Sequence, residues 1–201
     1  MTDLMTIISA ALTRRSFTVH HAATKEEAAR LVLSLIPEGA SVGAGGSMTI
    51  RELALAETLQ AAGHAVHWHW LEAGAAVFPE AHAADMYLAS ANAVTRDGQL
   101  VNIDGTGNRV AAMIHGPKQV IAVVGANKLV DGGVSMAIAR IKREACPPNA
   151  KRLGLGTPCG LTGKCDQDAC PGGFCNVITV QERPTGKRPY HVVLVDEALG
   201  Y

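Results

Sequence analysis

Neither sign of charge predominates in this chain. Its 18 Lys and Arg residues are balanced by 18 Asp and Glu, so it lacks the basic footprint with which proteins hold nucleic-acid backbones, and no nucleic-acid partner is expected. The small clusters Arg140-Ile-Lys-Arg143 and Lys187-Arg188 read as solvated surface. Long apolar runs are missing too. None approaches the roughly 20 residues that a membrane-spanning helix needs, so no membrane span is expected. At the N-terminus, Asp3 stands where a secretory leader has basic residues, and Thr6, Ser9 and Thr13 interrupt the apolar ones; we therefore expect a cytoplasmic protein. Linkers, internal repeats and low-complexity stretches are likewise absent. With 48% hydrophobic and 18% charged residues, the 201-residue chain has the composition of one globular domain around one core. That composition is compatible with a homo-oligomer.

Cysteine is sparse outside one short segment. Cys159, Cys165, Cys170 and Cys175 cluster there, and Cys146 stands alone upstream. The residues between the four are mostly Gly, Pro, Asp and Thr; only Leu161, Ala169 and Phe174 could be buried. So little burial cannot offset the entropy of ordering the loop. Thiolate–metal bonds or disulfides are the candidates to hold it, and a reducing cytoplasm favours metal. The spacing C-x5-C-x4-C-x4-C lacks the paired C-x2-C knuckles of zinc ribbons. All-thiolate sites suit both zinc and iron–sulfur clusters, so both cofactors stay open. We expect the four to converge on one metal, and Cys146, which precedes Pro147-Pro148, not to be a ligand.

Periodicity gives alternating helices and strands. Apolar residues at Leu4, Ile7, Ile8, Ala11 and Leu12 mark a helix within 1–15, and 17–21 can be extended. Thr24 and Glu27 form a capping box before a second helix, and Thr49 and Glu52 form another before a helix running to about Ala62. Short strands are expected at 40–43, 64–70, 85–89, 99–103, 119–124, 177–180 and 191–195. The run 119–124 is apolar enough for a central parallel strand. A helix begins near Thr106, and another, with Val134, Ala137, Ile138 and Ile141 on one face, should end at Pro147-Pro148. This alternation predicts an α/β fold with a mainly parallel sheet flanked by helices. We divide the chain as a single domain, 1–201, with a helical extension over 1–23 and a cysteine-rich loop over 157–176.

Three strand ends run into polar, glycine-bearing loops, where open α/β sheets bind ligands. Gly45, Gly46 and Ser47 precede a helix whose free N–H groups could meet an anion, or they simply serve a tight turn. The spacing is neither a Walker loop nor a dinucleotide fingerprint. In the second loop Asp104 could act as acid or base, Asn102 and Asn108 could orient a polar ligand, and Arg109 could clamp a carboxylate; the plain alternative is that Asp104 or Thr106 caps a helix. In the third, Asn127 and Lys128 could complement an anion. His67 and His69, with Glu80, His82 and Asp85 nearby, could form a metal pair, although an exposed strand face explains them more simply.

Taken together, several segments resemble the LUD, or lactate-utilisation, domain family: Gly43-Ala-Gly-Gly-Ser-Met-Thr49, Ser90-Ala-Asn-Ala-Val-Thr95, the run from Gly98 to Met113, Gly125-Ala-Asn-Lys128, Thr157-Pro-Cys159 with Cys165, and Glu197-Ala-Leu-Gly-Tyr201. The resemblance runs from about residue 24 to the C-terminus. It implies a fold like those of ribose-5-phosphate isomerase, CoA transferases and 5-formyltetrahydrofolate cyclo-ligase. It implies a part in L-lactate oxidation beside partner subunits that carry iron–sulfur clusters, with a small anionic ligand. Gly45, Gly46, Ser47, Asn92, Asp104, Thr106, Asn108 and Lys128 fall on the family's motif positions. Members with the cysteine loop place a cysteine where this chain has Asp168, and Cys170 follows two residues later. The alternative is a stand-alone isomerase, transferase or cyclo-ligase-like enzyme acting on a phosphorylated or carboxylated substrate, with a structural metal.

Overall fold

The computed structural model describes residues 2–68, 70, 71 and 77–201; His69 of the histidine pair lies outside them. Thr2 caps α1 (Asp3–Arg14), and Met5, Ile8 and Leu12 are wholly buried along the expected stripe. β1 (Thr18–Ala22) leads to the Thr24 cap of α2 (Lys25–Ser34). There the Thr24 hydroxyl accepts from the Glu27 amide at 3.2 Å, and the Glu27 carboxylate reaches back to the Ala23 amide. Then follow β2 (Val42–Ala44), α3 (Met48–Glu52), α4 (Leu55–Ala61) and β3 (Val66–Trp68). Next come α5 (Val77–Ala83), β4 (Met86–Ala89), β5 (Ala93–Thr95), β6 (Leu100–Asp104) and α6 (Asn108–Ile114). The chain continues through β7 (Gln119–Gly125), β8 (Leu129–Val130), α7 (Val134–Arg140), α8 (Cys146–Arg152), α9 (Pro158–Thr162), β9 (Val177–Gln181) and β10 (Tyr190–Val195).

Six strands form a wholly parallel sheet in the order β1-β10-β7-β4-β2-β3. Its alternating residues feed two cores. Met86, Leu88, Ile121, Val123 and Val193 face α2, α3 and α4 on one side. Tyr87, Val120, Ala122, Val124 and Leu194 face α1 and α6 on the other. Burial on both faces is why β7 reads as an unbroken apolar run.

The sequence does not announce a second sheet. Strands β8-β5-β6-β9 form it, with β5–β6 and β6–β9 antiparallel. Its Ala93, Val101, Ile103 and Val130 pack on Ala137, Ile141, Ala145 and Cys146 as a third core. Among the described residues no helix is long and apolar enough to cross a membrane.

Four local expectations are corrected. Thr49 does not cap α3; Ser47 does, and Thr49 is turned inward to Lys128 and the C-terminal tail. The expected single helix breaks because Ala54 adopts a left-handed conformation (φ 49°), separating α3 from α4. The helix through Val134 does not stop at Pro147-Pro148. A wider π-turn over Ile141–Ala145 precedes them, and both prolines sit in the first turn of α8, where a missing N–H is tolerated. Residues 1–23 are no extension either: α1 fills a core and β1 is the sheet's edge strand.

Candidate functional site

The C-terminal ends of β2, β4 and β7 lie side by side in the parallel sheet, followed by the Gly45–Ser47 loop, Ser90 and Asn127–Lys128 respectively. Asp104 arrives from elsewhere. It ends β6, in the smaller sheet, instead of the parallel one in which we expected it. All three loops nevertheless meet around one cavity of about 400 Å³. Gly46, Ser47, Asn92, Asp104, Thr106, Asn108, Arg109 and Lys128 line it, and α8 closes it with Cys146, Asn149 and Arg152.

Lys128 is the central feature. It is 3% exposed. Its Nζ donates to Thr49 Oγ1 at 2.6 Å and to Ser90 Oγ at 3.0 Å. Those hydroxyl protons are engaged elsewhere, on the carbonyls of Leu199 and Ala91, so both oxygens present lone pairs to the lysine. Among the described residues the third ammonium proton has no further acceptor, in a side chain that lines the cavity. Burial, joined by the nearby Arg140 and Arg109 and opposed by Glu52, lowers the Lys128 pKa to about 7. Among the described residues no carboxylate bonds it to offset the charge.

Arg109 plays a different part from the expected clamp. Its Nε donates to Asp104 Oδ2 at 3.0 Å, and its two terminal nitrogens bond Ser90 O, Asn102 Oδ1, Asn92 Oδ1 and Ile103 O. The guanidinium is thus consumed in tying α6 to both sheets. Asp104, the expected acid or base, is tied at both oxygens, since Oδ1 also accepts the Gly107 amide at 2.8 Å. Asn92 bridges the network, accepting Ile103 N and donating its own backbone amide to Asn102. Asn108 accepts the Thr106 hydroxyl at 2.6 Å, and Thr106 is exposed.

Two expected residues lie behind the cavity wall. Gly45 accepts Trp68 Nε1 through its carbonyl, and a Cβ there would stand 2.7 Å from the Tyr87 hydroxyl. It is a glycine because the chain packs against Tyr87 and Arg109. Asn127 pins the C-terminal tail, bonding Leu199 N and Gly200 O. The positive character of the cleft comes from buried Lys and Arg side chains; α3 and α6 are too short to contribute much as dipoles.

The five cysteines are all free thiols. They line a second cavity of about 210 Å³, which shares Cys146 and Phe174 with the first. Cys146 does not stand apart: it is 3% exposed, and its Sγ lies 3.5 Å from that of Cys175. The contact raises the Cys146 pKa and lowers that of Cys175, as a thiol donating to a thiolate would. The loop is not wholly irregular, since Thr157 caps the short helix α9 and Cys159 is buried at its start. In kind these donors suit a thiophilic metal. Among the described residues, however, no three Cys, His, Asp or Glu side chains are gathered closely enough to hold one ion. The His67 surroundings fare no better, because His82 bonds the Asn108 carbonyl and Asp85 is engaged by Ser41 and Lys118.

Sequence reasoning missed Ser90, Arg140, Arg152 and Cys146. Arg140, read as surface, is 6% exposed and donates to the Asn92 carbonyl; its place one turn after Ala137, on the apolar face, was the available signal.

A search of the curated proteins finds no match. Among solved structures, a DUF162 family protein from Deinococcus radiodurans is similar over 96% of each chain, with a TM-score of 0.57 and 13% identity, a likeness of fold. The sequence model of the LUD domain matches residues 5–195, nearly the whole chain and every element of both sheets. The chain therefore belongs to the LUD domain family, which is associated with lactate utilisation.

Proposed function

We propose that this protein takes part in the oxidation of a small organic acid of the L-lactate type, as the component that binds the carboxylate. The observation that carries this reading is Lys128: a buried amine at a cavity, held by two hydroxyls, with no further acceptor and no carboxylate bonded to it among the described residues. A buried charge with no carboxylate in contact is costly, and an anionic ligand offsets that cost. In this reading the Arg109–Asp104 pair positions the walls of the cleft, and Lys128, titrating near neutrality, takes the proton-linked role for which Asp104 is too firmly tied.

The thiol cavity supports a metal centre next to the cleft, because the two share a wall at Cys146 and Phe174. An iron–sulfur cluster there would supply one-electron transfer, and zinc would supply structure alone. Iron–sulfur partner subunits would take the electrons onward.

Titration calorimetry at pH 6.5 with L-lactate and pyruvate, on the wild-type protein and Lys128→Met, tests the reading. Binding to the wild type and its loss in the variant supports it; equal binding, or none to either, overturns it. The cleft volume favours one second reading, an isomerase- or transferase-like enzyme for a larger phosphorylated substrate, since about 400 Å³ exceeds what a three-carbon acid fills. Binding of sugar phosphates in preference to lactate would favour it.

A further inference from the structure

The carboxylate-binding cleft is lined by the charged side chains of Asp104, Arg109, Lys128 and Arg152. Asp104 and Arg109 meet at 3.0 Å and neutralise one another. Two positive groups remain, neither bonded to a carboxylate among the described residues. Lys128 is buried just beyond β7, whereas Arg152 is exposed in the last turn of α8. One cation thus lies inside the cleft and the other at its mouth.

Arg152 is held in place. Its Nε and one terminal nitrogen donate to the Asn149 side-chain oxygen at 3.3 and 2.8 Å, one turn back on α8. Its guanidinium lies 5.9 Å from the centre of the Trp70 ring, and that of Arg51, from α3, lies 5.2 Å from the same ring. Trp70 packs at 5.4 Å against Trp68, whose indole N–H is anchored on the Gly45 carbonyl behind the cleft wall. Contact with an aromatic ring holds a guanidinium without consuming its N–H donors. The indole therefore gathers two arginines from different helices at one side of the cleft, an arrangement that repels itself until an anion arrives.

We propose that the ligand of this cleft is an organic acid with a second anionic group, a carboxylate or a phosphate, and that Arg152 binds that second group while Lys128 binds the first. The proposal rests on the reading that Lys128 takes a carboxylate, and it extends that reading to the class of ligand. The volume agrees, since a three-carbon acid leaves much of about 400 Å³ empty. Met48, Leu153 and Phe174 line the same space and offer apolar contact to the carbon chain that joins the two groups.

Titration calorimetry at pH 6.5 with L-lactate, L-2-hydroxyglutarate and 3-phosphoglycerate, on the wild type, Arg152→Gln and Lys128→Met, tests the assignment. We expect at least one of the two longer acids to bind the wild type about tenfold or more tighter than L-lactate, the worth of an added charge-assisted hydrogen bond. That advantage should vanish in Arg152→Gln, and the tighter of the two identifies the second group as carboxylate or phosphate. Lys128→Met should weaken the longer acids as well as L-lactate. Longer acids that bind no tighter than L-lactate, or an advantage that survives Arg152→Gln, would overturn the proposal while leaving the Lys128 reading intact. Longer acids that bind Lys128→Met as well as the wild type sit elsewhere, and that too would overturn it. A wild type that binds none of the three would overturn both.

Discussion

The ammonium group of Lys128 stands 2.6 Å from the hydroxyl of Thr49, a residue whose own proton is given to the carbonyl of Leu199. One threonine thus joins the floor of the cleft to the C-terminal tail. Lys128→Met should weaken small-carboxylate binding about 10- to 100-fold, the worth of a charge-assisted hydrogen bond. It should leave the melting temperature within a few degrees, since the charge it removes is a buried and uncompensated one. Calorimetry and thermal melts measure the two effects separately.

Carboxylate affinity should depend on pH in one direction. The free amine has a pKa lowered to about 7 by burial, and a bound anion raises it by favouring the charged form. Affinity is therefore flat below pH 7 and falls by up to about tenfold per pH unit above it, until the raised pKa is passed. An affinity that increases between pH 7 and 9 would contradict this.

The same group has an opposite signature in stability. Its folded pKa lies below the unfolded value, so between about pH 7 and the ordinary lysine range the unfolded chain holds a proton that the folded chain does not. Stability contributed by this residue rises with pH across that window, and below pH 7 its burial penalty is present in full. Urea midpoints at pH 6.5 and 9, compared between wild type and Lys128→Met, isolate the contribution: the wild type should gain on the variant at the higher pH.

Arg109→Ala should destabilise the domain by about 3–5 kcal/mol, because it strands the buried Asp104 carboxylate and several other acceptors at once. Arg109→Lys, lacking the planar fork, should recover only part of this. Denaturant titration distinguishes these outcomes from a surface role, which would cost well under 1 kcal/mol.

Gly43→Ala tests packing alone. A Cβ there would lie 2.4 Å from the Ala81 carbonyl oxygen and 2.8 Å from its Cα, and backbone cannot swing aside as a side chain does. We expect a loss of about 2 kcal/mol or more in the urea midpoint.

What could be read from sequence follows from range. The stripe of α1, the Thr24 cap and the apolar β7 are set by neighbours a few residues apart, and they appear where periodicity places them. The convergence of the Gly46, Asp104 and Lys128 loops was also legible, although by a faulty route, since β6 belongs to the smaller sheet. Of its strands, β6 and β9 appear where 99–103 and 177–180 were expected, but β5 and β8, of three and two residues, are too short to show a pattern, so nothing marked a separate sheet. The role of Thr49 was misread because a capping box and an inward-facing hydroxyl look alike until the tail is in place. Pro147-Pro148 misled for a similar reason: whether a proline ends a helix depends on the turn before it, and a π-turn leaves no mark in composition. Cys146 was set aside with them.

The clasp of the tail has a practical side. Leu199 is held by Asn127 and Thr49, and Gly200 donates to Glu52 at 2.9 Å, while Tyr201 is part of the cleft wall. Anything fused after Tyr201 would leave the protein at the rim of its binding site and pull directly on the threonine that orients Lys128. Affinity tags and fluorescent reporters therefore belong ahead of α1, clear of the clasp, and a C-terminal fusion with altered affinity would be reporting tension on that threonine, not a change in chemistry.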